Sequence, residues 1–143
     1  MQIKPINNLA EITQLLASCN LKSGDISADN PPFFYGIQYS NELIALIGLE
    51  FFDKVGLLRS LAVATDFRDK GLASSLVLYA EDLARQQGVK TLYLLTNTAE
   101  MFFLNARYQA TERNMAPLDI QATSQFSGLC PLSSAFLSKQ LTR

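Results

Sequence analysis

The first apolar positions of the chain repeat with helical spacing. Apolar side chains recur every three or four residues at Leu9, Ile12, Leu16 and Cys19, which places them on one helix face. Asn8 is a favoured N-cap residue, and Glu11 stands at the third helical position. The pattern predicts a helix from Asn8 to about Ser18, preceded by a short edge strand over residues 2–6.

The pattern changes at Phe33, after a loop predicted for residues 21–32. Three runs rich in β-branched and aromatic residues follow, separated by turn residues, at positions 33–39, 42–52 and 55–63. They predict three antiparallel strands joined by hairpins. The second and third runs are apolar on both faces, so we expect them to be central and covered on both sides.

The second half of the chain alternates between helical and extended patterns. A helix is predicted from about Lys70 to Gln87, because apolar residues form one stripe and Gly88 can end it. Glu81, with three other polar residues, is assigned to the opposite face. The later elements are a strand at 89–96, a helix at 99–106 capped by Thr98, a strand at 108–111 and a short helical turn from Pro117 to about Thr123. The tail at 133–141 is compatible with a closing strand or a short helix, and we favour the strand.

This order of elements predicts an α/β (α+β) fold. We expect a mixed central sheet of about six or seven strands, antiparallel in its first half, with helices on both faces. The composition, 48% hydrophobic and 17% charged, is that of a compact globular protein. A single domain over residues 1–143 is predicted, because this is a common length for one domain. The net charge of −1 favours neither nucleic acid nor an anionic membrane as a partner.

The chain contains no histidine, which excludes every catalytic scheme that requires one. Its two cysteines, Cys19 and Cys130, are far apart, so buried free thiols are expected and no metal site is predicted. The first residues lack the pattern of a signal peptide, and no segment is apolar enough to span a membrane. We therefore expect a cytoplasmic protein.

The segment from Leu57 to Gly88 contains the most informative junction. An apolar strand leads through a charged turn into a helix whose first turn is predicted to hold Gly71, Ala73 and Ser74. Backbone N–H groups without helical partners, together with the helix dipole, make such a junction suitable for binding phosphate.

Two charged residues interrupt the central apolar strands. Glu50 stands in the second run and Arg59 in the third, and a charge in such a strand is rarely buried without a partner. Two compatible alternatives follow. The two residues pair across the hairpin, or they face a cleft.

The same segment resembles a known superfamily. Residues Arg68 to Ala73, RDKGLA, follow a LAV strand and match [Q/R]-x-x-G-x-[G/A], the signature of the GCN5-related N-acetyltransferases (GNAT). The later stretch AEMFFLNARY fits the next helix of that fold. The combination of LLRSLAV, LYLLTNTAEMFF, ER-x-x-x-AP and LCPLSSAF is similar to an arsenic-resistance-associated subgroup. The resemblance implies the GNAT-like acyl-CoA N-acyltransferase fold.

The resemblance also implies acetyl-CoA as co-substrate. Its pyrophosphate would lie on the residues of the signature loop, which are Arg68, Asp69, Lys70, Gly71, Leu72, Ala73 and Ser74. Arg68 and Lys70 could add charge there, although Lys70 is also compatible with a solvated surface position. The pantetheine amides would pair with the backbone of Leu61, Ala62 and Val63. Asn97 and Phe103 are further cofactor-binding candidates.

In the implied reaction, an amine attacks the thioester directly. Glu50 is the candidate base, directly or through water, and Arg59 is a candidate for binding a substrate carboxylate or the oxyanion. A backbone N–H near Ala62 or Val63 is the candidate donor to the thioester carbonyl. The superfamily commonly uses a tyrosine as the acid for the thiolate, but Phe103 has no hydroxyl. Arg107 also replaces the usual glycine. The acid is therefore assigned to Tyr108, with Tyr93, Asn97 and water as alternatives, or the thiolate leaves without an acid.

Three functional hypotheses follow. The first is an N-acetyltransferase that acts on the primary amine of a small, amino-acid-like molecule, with a homodimer possible. The second is an acyl-CoA-binding module with weak or lost catalysis, and the third is a structural or interaction domain.

Overall fold

A computed structural model describes residues 2–27, 31–129 and 133–141. These residues form seven strands, which are β1 (Ile3–Pro5), β2 (Phe33–Tyr39), β3 (Glu42–Phe52), β4 (Val55–Val63), β5 (Thr91–Thr96), β6 (Gln109–Ala110) and β7 (Ala135–Gln140). Their α-helices are α1 (Leu9–Ser18), α2 (Leu72–Gln86), α3 (Glu100–Asn105) and α4 (Leu118–Gln121).

The strands form one mixed sheet in the order β1-β2-β3-β4-β5-β7-β6. β1 pairs antiparallel with β2, and β2 with β3. β4 and β5 run parallel, whereas β7 pairs antiparallel with both β5 and β6. The predicted α+β fold with a mixed sheet and an antiparallel first half is confirmed.

The hairpin turns explain why the first three predicted strands have the observed bounds. Ser40 and Asn41 are both left-handed, with φ of 52° and 66°, as a two-residue type I′ turn requires. Asp53, in the next turn, has φ 60°. The seven consecutive residues Leu43 to Leu49 of β3 are all buried, which confirms that this strand is covered on both faces.

The chain divides into two compact units, and the first comprises Met1–Glu50 and Ser60–Ala80. In its core, α1 contributes Ile12, Leu15 and Leu16, which pack with apolar side chains of β2, β3 and β4. The side chain of Asn8 accepts a hydrogen bond of 3.1 Å from the Glu11 N–H. This confirms the predicted N-cap of the first helix.

The second unit comprises Phe51–Arg59 and Glu81–Arg143. Leu57 of β4, Ala116, Ile120 of α4 and Phe136 of β7 are buried together. The Phe136 ring stacks on Tyr93 at 5.6 Å and meets the edge of Phe126 at 5.3 Å. These aromatic contacts join β5 and β7 to the π-helix at Gln125–Leu129.

The expectation, based on chain length, that residues 1–143 form a single domain stays a prediction.

Three predicted helix starts are wrong by one or two residues. α2 begins at Leu72 rather than Lys70 because Gly71 is left-handed, with φ 81°, and therefore precedes the helix. Pro117 is the N-cap of α4 rather than its first residue. The N-cap of α3 is Ala99, not Thr98.

Glu81 was predicted on the exposed face of α2, and the structure contradicts this. Only 1% of the surface of Glu81 is exposed to solvent. Tyr108 and Lys139 bind the carboxylate within the same unit. A buried carboxylate requires such partners, and nothing in the local spacing of α2 identifies them.

Cys19 has a free thiol but is only half-buried, so the prediction of full burial is wrong for this residue. Cys130 lies outside the described residues. In the part of the chain that the structure describes, no helix combines the length and the apolar character needed to cross a membrane.

Candidate functional site

The predicted phosphate-binding loop connects β4 to α2 in the first unit. After β4 ends at Val63, a 3₁₀ turn at Thr65–Phe67 leads to Asp69 and Gly71, whose φ values are 62° and 81°. Left-handed residues in a turn can direct neighbouring backbone N–H groups toward a common point, an arrangement that binds anions. The N-terminal N–H groups of α2 begin directly beyond the loop.

The loop is accessible. Its residues from Arg68 to Gly71 are exposed, as is Ser74, whereas Leu72 and Ala73 are half-buried. A Cβ atom added at Gly71 would meet nothing within 4 Å. The backbone conformation rather than a lack of space therefore explains the glycine at this position.

The Arg68 side chain turns back onto the end of β4. Its Nε donates a hydrogen bond of 2.9 Å to the Val63 carbonyl, and its Nη2 lies 3.7 Å from the Cys19 sulfur. The Cys19 sulfur also lies 3.6 Å from the same carbonyl oxygen. Arg68 therefore fixes the exit of β4 relative to the loop. Sequence reasoning considered only its charge and missed this contact.

The backbone candidates Leu61, Ala62 and Val63 follow an irregularity in β4. Ser60 has φ 59°, although it stands within a strand. Left-handed residues in strands mark bulges, which occur often next to active sites. Ala62 is buried in the core beneath α1. The left-handed conformation of Ser60 was missed because serine has no strong preference for it.

The two charged strand residues lie in different units. Glu50 of β3 is half-buried in the first unit, and Arg59 of β4 is 5% exposed in the second. A buried guanidinium keeps its charge and therefore requires polar partners. The roles of Glu50 as a base and of Arg59 in binding a carboxylate or oxyanion stay predictions.

Tyr108, the candidate acid, is buried in the second unit. Its hydroxyl donates a hydrogen bond of 2.9 Å to Glu81 Oε2. Burial raises the pKa of Tyr108 well above its ordinary value, and the negative charge of the neighbouring Glu81 raises it further. A phenol in this state is a weak proton donor. The arrangement favours a structural role for Tyr108, and its catalytic role stays a prediction.

The remaining candidates also belong to the second unit. Phe103 is buried and meets the rings of Phe102 and Tyr108 edge-on at 5.1 Å and 5.4 Å. Asn97 is exposed, and its Oδ1 accepts a hydrogen bond of 2.6 Å from the Ser134 hydroxyl. Burial raises the pKa of Tyr93 above its ordinary value. Of the site residues predicted from the sequence, the structure brings the loop and residues 61–63 together within the first unit.

Comparison with known proteins identifies the family. Residues 8–107 match the acetyltransferase (GNAT) family, and this match spans most of the chain. The chain belongs to the GNAT family. An uncharacterized N-acetyltransferase of Chlorobaculum tepidum is 32% identical to this GNAT chain over 88 residues. That match covers 61% of the chain but only 56% of the relative.

Solved structures share the GNAT fold. The N-acetylglutamate synthase of Neisseria gonorrhoeae, complexed with coenzyme A and N-acetyl-glutamate, aligns with a TM-score of 0.83 at 20% identity. The alignment covers 99% of this chain and 35% of the synthase. Tetrahymena GCN5 aligns with a TM-score of 0.77 at 11% identity, over 99% of this chain and 97% of GCN5. At such identities the likeness concerns the fold alone.

Proposed function

We propose that this GNAT chain transfers the acetyl group of acetyl-CoA to the primary amine of a small, amino-acid-like molecule. Family membership supports acetyl transfer. The main structural support is the loop in which left-handed Asp69 and Gly71 precede the N-terminus of α2. This geometry suits an anion that carries more than one charged oxygen.

The loop is proposed to bind the pyrophosphate of acetyl-CoA through backbone N–H groups of residues 68–74. Gly71 allows the left-handed turn, and the exposed Lys70 adds a positive charge. Arg68 has a different role in this proposal, because its guanidinium already binds the Val63 carbonyl. It stabilises the loop relative to residues 61–63, whose backbone would pair with the pantetheine amides.

The proposed reaction begins when a base removes the proton of the substrate ammonium. Glu50 takes this proton directly or through water. The amine nitrogen then attacks the thioester carbonyl carbon, and a backbone N–H near Ala62 stabilises the oxyanion. The new N–C bond forms and the C–S bond breaks. The nitrogen releases its second proton to water, and coenzyme A leaves as a thiolate that takes a proton from water. Water is the proposed acid because the Tyr108 proton is held by Glu81.

The acceptor class is proposed from two observations. Arg59 is buried in a strand, where its planar group can bind a carboxylate through two N–H groups. The synthase with the same fold is complexed with N-acetyl-glutamate, an acetylated amino acid. A toxic arsenical or phosphinic amino acid, as the subgroup resemblance implies, is a narrower version of this proposal. A cytoplasmic location and a homodimer also stay proposals.

A second candidate function is an acyl-CoA-binding module with weak or lost catalysis. It is favoured by Phe103, which has no hydroxyl, and by the hydrogen bond that holds the Tyr108 hydroxyl. A positioned acid accelerates such reactions by roughly 10²–10⁴-fold. Its loss would slow acetyl transfer and leave cofactor binding intact.

Two measurements test the proposal. Calorimetry with acetyl-CoA measures cofactor binding, and a thiol-release assay with a panel of primary amines measures transfer. Binding and release together are expected. Binding without release for any amine would favour the module, and absence of binding at millimolar acetyl-CoA would contradict both candidate functions.

The Glu50→Gln variant tests the base. Glutamine has the shape of glutamate but cannot accept the ammonium proton, so kcat at neutral pH should fall by about 100-fold or more. The affinity for acetyl-CoA should not change. Equal kcat in the variant and the parent protein would remove Glu50 from the mechanism.

A further inference from the structure

Two aromatic rings lie against each other beside the loop, within the first unit. Tyr39 is the last residue of β2, and Phe67 is the last residue of the 3₁₀ turn that precedes Arg68. The ring centres are 5.4 Å apart, and the ring planes are inclined by 59° to each other. The aromatic pair therefore connects the end of β2 to the start of the loop.

The backbone at both rings is held in place. Tyr39 pairs with Glu42 across the tight turn between β2 and β3. The Phe67 N–H donates a hydrogen bond of 2.9 Å to the Ala64 carbonyl, which closes the turn at the end of β4. The aromatic pair is therefore organised before a ligand arrives, and less conformational entropy is lost when one binds.

Tyr39 keeps an open surface although it contacts Phe67. More than half of the residue, 53%, is exposed to solvent. Because the two rings are steeply inclined, Phe67 covers no more than one face of the Tyr39 ring. Exposed aromatic side chains bind nucleobases by stacking, since every base has a flat π-face. Tyr39 can therefore stack on a planar base while it stays packed against Phe67.

The aromatic pair is close to the proposed pyrophosphate site along the chain. Phe67 lies two residues before Asp69, so their Cα atoms are at most about 7 Å apart. Both residues belong to the first unit. In acetyl-CoA, a single ribose joins the pyrophosphate to adenine, which is a planar base. A cofactor whose pyrophosphate lies on the loop therefore carries a stacking partner for Tyr39.

We propose that Tyr39, supported by Phe67, stacks on the adenine of acetyl-CoA. This inference rests on the proposed function, because it uses the loop as the pyrophosphate site. It adds a cofactor-binding residue at the corner of β2 and β3 that no motif in the sequence marks. The thioester lies at the opposite end of the cofactor from adenine. The stacking contact therefore strengthens binding of acetyl-CoA and does not change kcat.

Calorimetry with two ligands tests the contact. Acetyl-CoA carries adenine, whereas S-acetyl-4′-phosphopantetheine has the same thioester arm and no adenosine. Tyr39→Leu removes the aromatic face and keeps an apolar side chain, so Kd for acetyl-CoA should rise by about tenfold. Kd for S-acetyl-4′-phosphopantetheine should not change. Tyr39→Phe keeps the ring and should bind both ligands as the parent protein does.

The chain contains no tryptophan, which allows a direct spectroscopic test. Tyr39→Trp places a single fluorescent ring at the proposed contact, and stacking on adenine should quench its emission when acetyl-CoA is added. S-acetyl-4′-phosphopantetheine should leave the emission unchanged. Phe33→Trp is the matched control, because Phe33 is 56% exposed and begins β2, about 20 Å from Tyr39 along the strand. The emission of this control should change with neither ligand.

A Tyr39→Leu variant that binds both ligands more weakly by the same factor would assign Tyr39 a structural role and overturn the proposal. Equal Kd for acetyl-CoA in this variant and the parent protein would also overturn it, while the loop and acetyl transfer stand. If the parent protein binds neither ligand at millimolar concentration, the proposed function fails and the inference fails with it. Should Tyr39→Leu not fold, the Tyr39→Trp emission decides, and an emission that acetyl-CoA leaves unchanged overturns the proposal.

Discussion

The carboxylate of Glu81 is bound at both oxygens inside the second unit. Lys139 Nζ lies 3.1 Å from Oε1 and 3.0 Å from Oε2, and the Tyr108 hydroxyl donates to Oε2 at 2.9 Å. Lys139 also donates to the Ala106 carbonyl at 3.0 Å. The charges are therefore paired within a network of hydrogen bonds, which is what makes their burial tolerable.

We expect Tyr108→Phe to change the pH dependence of stability. Burial, and then Glu81, hold the pKa of Tyr108 above its ordinary value of 10.0 in the folded chain. Above about pH 10 an unfolded tyrosine loses its proton, while the folded one keeps it. The free energy of unfolding of the parent protein should therefore fall as pH rises past 10.

Urea unfolding at pH 8 and pH 11 measures this effect. At pH 8, Tyr108→Phe should cost about 1–2 kcal/mol, because a hydrogen bond to a buried charge is lost. The difference between the parent and the variant should shrink at pH 11. A constant difference would contradict the raised pKa. Tyr39→Phe is the control, since Tyr39 is an exposed tyrosine.

At the residue scale, the sequence predicted the elements on which the candidate residues lie better than it predicted the contacts of those residues. The motif from Arg68 to Ala73 placed the loop correctly between β4 and α2. The bond from Arg68 to Val63 and the burial of Glu81 were not predicted. Both depend on partners brought close by folding, and no local pattern encodes them.

At the element scale, the turn after α3 carries a left-handed arginine. Arg107 has φ 75°, and the hydrogen bond from the Tyr108 N–H to the Phe103 carbonyl, 3.0 Å long, closes the helix end around it. The left-handed conformation costs an L-residue about 1–2 kcal/mol. The helix end therefore stores local strain at Arg107.

Arg107→Gly should relieve this strain and stabilise the protein by about 1 kcal/mol, as measured by urea unfolding. Arg107→Ala removes the same side-chain charge and keeps the strain, so its free energy of unfolding should be close to that of the parent protein. A glycine variant that is no more stable than the alanine variant would show that the backbone of Arg107 is not strained.

The two left-handed glycines at the ends of α2 allow a matched comparison. Gly71 has φ 81° and Gly88 has φ 86°, and an added Cβ meets nothing within 4 Å at either position. Alanine at each position should lower stability by about 1–2 kcal/mol. Calorimetry should find weaker acetyl-CoA binding only for Gly71→Ala. Equal affinities in the two variants would exclude the loop as the cofactor site.

The elements themselves were largely predictable. Alternating and apolar runs predicted β2, β3 and β4 with the observed bounds, because two-residue turns leave little freedom in where the strands end. The first residues of the helices were predicted less accurately. They depend on capping and left-handed residues such as Gly71, whose conformation single-residue preferences do not fix.

At the scale of the whole molecule, ligand binding and folding are linked. Acetyl-CoA that binds only the folded chain should stabilise it by about 2.7 kcal/mol at a concentration of 100 times Kd. We therefore expect the midpoint of thermal unfolding to rise by several degrees. Coenzyme A should act similarly, because it carries the same pyrophosphate. No shift with either ligand at millimolar concentration would contradict the proposed site.

The mixed sheet was predictable, but the position of its last strand was not. β7 inserts between β5 and β6 and pairs along its whole length with β5. Such pairing joins segments distant in the sequence and leaves no periodic signal. The hydrogen bonds that Arg113 and Asn97 make with Ser134 have the same limitation, because they depend on the position of β7.

The ion pair of Glu81 and Lys139 constrains how the sequence can diverge. The two residues are separated by 58 positions in the chain, yet loss of Lys139 leaves the Glu81 carboxylate buried without its cation, at a cost of about 3–5 kcal/mol. A loss of that size is a large part of the stability of a small protein. Joint replacement by apolar residues of similar volume avoids this cost. Descendants of this protein that keep Glu81 are therefore expected to keep Lys139 as well.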